Sequence, residues 1–134
     1  MNRELVGFGP TSDLDPVAVL LKAAELLEKP GAWTQNAFAR RSDEVPCGLT
    51  EDWACRFCMQ GAVNHVVWEK YGGYYTEKCD HMMLLIKEEF RKNRSKDICD
   101  PNHIKWNDEF GRTQEEVVEE LRRIAAAVQA GGAQ

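Results

Sequence analysis

The sequence contains no apolar run approaching the roughly 20 residues that a membrane-crossing helix requires, which argues against a membrane role. It has no glycine-rich phosphate loop, no His-Glu-x-x-His pair and no nucleophile elbow, so the commonest signatures of nucleotide hydrolysis, zinc proteolysis and acyl transfer are missing. Histidine is scarce, with His65, His81 and His103 the only three. Internal repeats and low-complexity segments are absent, and no segment alternates apolar and polar residues as a half-buried strand does. A paired cysteine set is missing too. The five cysteines are odd in number and irregularly spaced, whereas a secreted domain stapled by disulfides normally uses an even set; this points to a reducing cytoplasm. The opening stretch from Met1 to Pro10 is too short and mixed for a secretory signal. Cationic excess is also lacking: 17 Lys and Arg against 22 Asp and Glu give a net charge of -5, which favours solubility and opposes general nucleic-acid binding.

What is present suits one soluble domain. A chain of 134 residues, 43% hydrophobic, can bury one core. Residues 1–14 carry glycine and proline without a clear period and read as a flexible N-terminal arm, leaving residues 15–130 as a single helical domain. Asp15-Pro16 looks like an N-cap followed by proline at the first helical position. Val17, Leu20, Leu21, Ala24 and Leu27 follow at helical spacing, and Lys29-Pro30-Gly31 ends that helix. Residues 32–40 suggest a short second helix capped by Thr34, with Ala37 and Phe38 turned inward. Thr50, with Glu51 and Asp52 behind it, opens a third helix. From Trp53 to Tyr71 this helix is apolar around most of its girth, with Asp52, Arg56, Gln60 and Asn64 as a narrow polar stripe; such a helix is normally the central one. Thr76-Glu77 starts a fourth helix with Cys79, Met82, Met83, Ile86 and Phe90 inward. Asp100-Pro101 suggests a short turn through His103 and Ile104. Thr113 and Glu116 form a Thr-x-x-Glu capping box for the last helix, whose seam is Val117, Leu121, Ile124 and Val128, with Glu119 and Arg123 as an outward pair. The expected architecture is all-α, a compact single-domain bundle of four to five helices.

The most varied polar chemistry precedes that last helix. Trp106-Asn107-Asp108-Glu109-Phe110-Gly111-Arg112 gathers an indole, an amide, carboxylates and a guanidinium, and Trp33, Gln35 and Arg40 have the same flavour earlier in the chain. If the two segments meet, Trp33 and Trp106 would wall a pocket with Asp108 and Arg112 supplying opposite charges. The simpler reading, which is favoured, pairs Arg112 with Asp108 and ties the loop to the last helix.

The cysteines offer a second possibility. Cys55 and Cys58 have the spacing of half a zinc site, and Cys99 with His103 resembles the other half. On a helix, Cys55 and Cys58 would share a face, but His65 would lie roughly 10 Å further along. Pro101 also interrupts the second half, and thiols as small core fillers are the commoner outcome. No histidine is placed by sequence to activate a cysteine as a nucleophile. The basic run from Arg91 to Lys96 complements a helix C-terminus more simply than it binds phosphates.

A family resemblance emerges from three motifs. Gly31-Ala32-Trp33-Thr34-Gln35 with Ala37-Phe38-Ala39-Arg40, then Phe57-Cys58-Met59-Gln60-Gly61-Ala62, then Trp106-Asn107-Asp108 with Gly111-Arg112-Thr113 and Glu116-Val117, resemble a family of small uncharacterised proteins encoded by actinobacteria and phages. The likeness covers residues 16–63 and 103–128, not 64–102; Met59 and Gln60 depart from the alanine-leucine pair usual in the middle motif. The resemblance implies a helical fold and a bacterial or phage cytosolic setting, and implies no activity. It singles out Trp33, Cys58, Trp106, Asn107, Asp108 and Arg112, and also Gly61, where a missing side chain would admit another helix.

The reading that follows is a small cytosolic, non-catalytic binding protein acting on a protein partner; a phage origin would make that partner a host factor. A small-molecule or enzymatic pocket at Trp33, Trp106, Asp108 and Arg112, and a zinc-stabilised domain, are the alternatives. No cofactor is implied, and the composition is compatible with a homodimer.

Overall fold

The protein is described by a computed structural model covering residues 13–72, 76–94 and 102–132. Helix α1, Pro16–Glu28, begins where Asp15 Oδ1 accepts the Ala18 N–H at 3.1 Å, with Pro16 in the first turn. It buries Val19, Leu20, Ala23, Ala24 and Leu27. Leu21, expected inside, is about half exposed, because the helix presents the 19/20/23/24/27 line rather than the one through Val17. That face packs chiefly on α5, Gln114–Gly132, and next on α2, Met59–Tyr71. The capping box of α5 forms as expected: Thr113 Oγ1 accepts the Glu116 N–H at 3.1 Å and Glu116 accepts the Thr113 N–H at 2.9 Å. Gln114 adds a tie, donating to the Leu27 and Lys29 carbonyls at the end of α1. Arg123 pairs with Glu120 at 2.7 Å, not with Glu119; Glu120 sits on the buried side of α5, where Arg94 also approaches it.

Every residue of α2 from Met59 to Val67 is buried, so the central position expected of this segment holds for its helical part. The helix starts at Met59, not at Thr50. Residues 50–58 go instead into turns and a strand, and residues 32–40 form no helix either. Strand β1, Ala39–Arg40, pairs antiparallel with β2, Arg56–Phe57, with Ala39 opposite Phe57. On its other side Phe57 donates to Ala32 O at 2.7 Å and accepts from Thr34 N at 3.0 Å. The two segments thus satisfy each other's backbone groups, which a helix in either would forfeit. Trp53 consequently lies on the surface, 58% exposed. Among the described residues five helices form a mostly α bundle, and this small two-stranded sheet is a feature that the hydrophobic pattern did not announce.

Helix α3, Thr76–Lys92, buries Cys79, Met82, Ile86 and Phe90 as expected, with Met83 half-buried. The short α4, His103–Asn107, is capped by Asn102, whose Oδ1 accepts from Ile104 and Lys105; Asp100 and Pro101 lie outside the described residues. Gln60 and Asn64, expected as a polar stripe, are buried in a polar chain. Gln60 Nε2 donates to Asn64 Oδ1 at 2.9 Å, and Gln60 Oε1 meets His103 Nε2 at 2.7 Å. A carboxamide oxygen only accepts, so His103 carries its proton on Nε2 and leaves Nδ1 bare. No described helix is long and apolar enough to cross a membrane.

Candidate functional site

The two tryptophan-bearing segments converge at one end of the bundle, and Asn107 joins them. α4 holds its side chain fully buried. Asn107 Oδ1 accepts from Trp33 Nε1 at 2.7 Å and from Met59 N at 3.0 Å; its Nδ2 donates to Thr34 O at 3.2 Å and Asp108 Oδ1 at 2.9 Å. All four hydrogen-bonding positions of the carboxamide are filled. The Met59 bond supplies a partner for an N–H in the first turn of α2, while Cys58 Sγ accepts the Gly61 N–H at 3.2 Å. Gln35 donates to the carbonyls of Asn107 and Glu109, and Asn36 N donates to Asp108 Oδ1 at 2.8 Å. Arg40 clips the same loop from behind, donating to Gln35 O and Glu44 O.

Gly61 completes the junction. A Cβ there would lie 2.0 Å from the Phe38 carbonyl oxygen, so the missing side chain admits the loop backbone, not another helix. Phe38 itself points outward, about half exposed, because its carbonyl is drawn against α2; the expected inward placement fails.

Arg112 does not pair with Asp108. It lies 4.0 Å over the Trp106 ring, donates to Trp106 O at 3.0 Å, and bridges to Glu109 and Glu116. The Trp106 ring also meets Phe90 edge-on, with Arg94 over both rings. Trp33 and Trp106 therefore serve as anchors of the junction. Of the residues singled out, Trp33, Gln35, Arg40, Asn107 and Arg112 direct their polar groups at protein atoms, whereas Asp108 keeps one oxygen uncommitted. Both of its donors share Oδ1, and Oδ2 accepts from no described residue.

Beside Asp108 runs an open groove of about 390 Å³, lined by Asn36, Ala37, Phe38, Cys58, Ile104 and Asp108. Phe110, at the tip of the turn held by Gln35, is fully exposed. Phe38, Phe110 and Ile104 are thus the surface residues that sequence reasoning missed. A phenylalanine in a two-turn connector carries no period to reveal which way it faces.

The zinc candidates fall apart in space. Cys55 is exposed in an extended segment and Cys58 is buried as a helix N-cap, so they do not share a helix face. Burial pushes the Cys58 thiol up to about 11, which disfavours the thiolate a metal needs. His103 is bonded to Gln60, and Cys99 lies outside the described residues. Among the described residues no three His, Cys, Asp or Glu side chains gather as a metal site would require.

Comparison with known proteins places the chain in a family but not in a function. The model of a family of unknown function, DUF6197, matches residues 11–127, and the chain belongs to that family. The match spans the middle segment where no motif likeness is evident from the sequence alone. No curated protein and no solved structure matches significantly.

Proposed function

We propose that this is a small non-catalytic binding protein, and that the end built on Asn107 is the face it offers to a protein partner. One observation carries the reading: apart from one Asp108 oxygen, the junction consumes its own polar groups internally, yet it presents Phe110 fully exposed and Phe38 about half exposed, next to an open groove. Large apolar side chains held on a rigid, hydrogen-bonded base are what binding hot spots are made of, since little conformational freedom remains to be lost on association. The same features speak against catalysis there. The buried thiol nearby is held protonated, and His103 is hydrogen-bonded inside the core.

The test compares capture of crosslinked partners by the wild type with capture by a Phe38→Ser/Phe110→Ser double variant, using Leu21→Ser on the α1 surface as control. A protein retained by the wild type and the control but lost by the double variant is the expected result. An unchanged captured set, or none, would remove this function.

A further inference from the structure

We infer that the groove beside Asp108 takes a lysine side chain of an extended partner peptide, flanked by apolar residues. The inference rests on the reading of this end as a protein-binding face and names what that face selects. Ala37, Phe38 and Ile104 give the groove apolar walls suited to an alkyl stem, and Asp108 is the one formally charged side chain among the described residues that line it. The carboxylate is oriented in advance: the Asn36 N–H and the Asn107 amide hold Oδ1 at 2.8 and 2.9 Å, leaving Oδ2 for an incoming donor. No described lysine or arginine pairs with Asp108; the neighbouring Arg112 is taken up by Glu109, Glu116 and the Trp106 carbonyl. A half-buried carboxylate without a cation, in a chain of net charge -5, is complementary to an ammonium group. Lysine fits better than arginine here. Its compact charge needs only one oxygen, whereas a guanidinium makes best use of two, and Oδ1 is already engaged. The stem lies along Phe38 while the head reaches Asp108, an arrangement amphipathic side chains adopt readily.

The probe is the capped tripeptide acetyl-Leu-Lys-Leu-amide, compared with its norleucine counterpart and with n-butylammonium. The readout is the set of backbone amide NMR shifts of Asn36, Phe38 and Ile104. The lysine peptide is expected to give saturable shifts with millimolar affinity, about fivefold tighter than the norleucine peptide. Butylammonium, lacking the flanking residues, is expected to bind more weakly than the tripeptide. Asp108→Asn keeps the Oδ1 acceptor, so it should fold and bind both peptides equally; the peptide comparison in the wild type needs no variant at all. Equal affinity for the two peptides, silence at these amides up to about 20 mM, or butylammonium matching the tripeptide would each overturn the inference, the last in favour of a small-amine site. The two readings fail separately. Partner capture through Phe110 survives a groove indifferent to lysine, and a lysine-selective groove survives a captured set unchanged by the phenylalanine variants.

Discussion

Leu121 and Asn107 are both fully buried, yet they hold the molecule together by different physics. Around Leu121, the contact between α1 and α5 consists of aliphatic side chains at helical spacing, and its energy is spread over many non-directional contacts. Around Asn107, three directed hydrogen bonds, to Trp33, Thr34 and Met59, fasten segments more than forty residues apart, and little in the loops they fasten is helical. A helical seam of the first kind tolerates a lost methyl group by partial collapse. A junction of the second kind has no such recourse, because each buried donor or acceptor left without its partner bears the whole loss of solvation. The end that carries the exposed phenylalanines thus rests on a few directed bonds centred on Asn107, with Gln35 and Asn36 beside it, while the scaffold beneath it rests on many contacts.

Removing each centre sharpens the contrast. Asn107→Ala orphans Trp33 Nε1, the Met59 N–H and the Thr34 carbonyl together, and is expected to cost about 4 kcal/mol in guanidinium denaturation. Leu121→Ala is expected to cost about 3 kcal/mol, in the usual range for a buried leucine. Amide hydrogen exchange tells the two apart. The asparagine variant should lose protection in residues 33–38 and the first turn of α2 ahead of global opening, whereas the leucine variant should lose it evenly along α1 and α5. Uniform loss in both would show that the junction is no separate unit.

The core beneath the junction adds a dependence on pH. Burial, with Lys87 adding a smaller repulsion, pulls His103 down from its ordinary 6.5 to about 4. The unfolded chain therefore takes up a proton below about 6.5 while the folded chain resists until about 4. Stability from this group is fully present above the upper value and is lost as pH falls through the window. At about 1.4 kcal/mol per pH unit the loss totals about 3 kcal/mol. His103→Gln keeps a donor for Gln60 Oε1 and removes the titration, so its stability should fall less steeply between pH 6.5 and 4. Parallel curves for the two proteins would mean that the imidazole is not protected from protonation.

The same contrast explains what could be read from the chain. Helices α1, α3 and α5 were legible because their inward residues recur at the helical period and their starts carry caps, Asp15 and Thr113 above all. Residues 32–40 and 50–58 were not. Their conformation is fixed by pairing with each other, through Phe57 with Ala32, Thr34 and Ala39, and pairing between remote segments leaves no local period. Composition raised the possibility that the segments bearing Trp33 and Trp106 meet, and they do, through Asn107. It could not tell which way their polar groups point, because an amide that fastens a loop and an amide that holds a ligand are the same residue. Gly61 showed the same ambiguity: its need for space was visible, but the loop carbonyl that occupies the space was not.

The smallest effect separates shape from chemistry within the junction itself. Asn36 has φ of 64°, a left-handed conformation, and its N–H donates to Asp108. Its side chain is exposed and bonds to no described residue. If only the backbone matters there, Asn36→Gly keeps both the turn and the N–H, and its stability should stay within about 0.5 kcal/mol of the wild type. Asn36→Ala keeps the N–H but strains the turn, and should lose about 1 kcal/mol. Glycine costing as much as alanine would mean that the asparagine carboxamide itself supports the loop. The junction would then reach to the solvent surface, and the sharp division between a buried fastening and an exposed binding face would have to be redrawn.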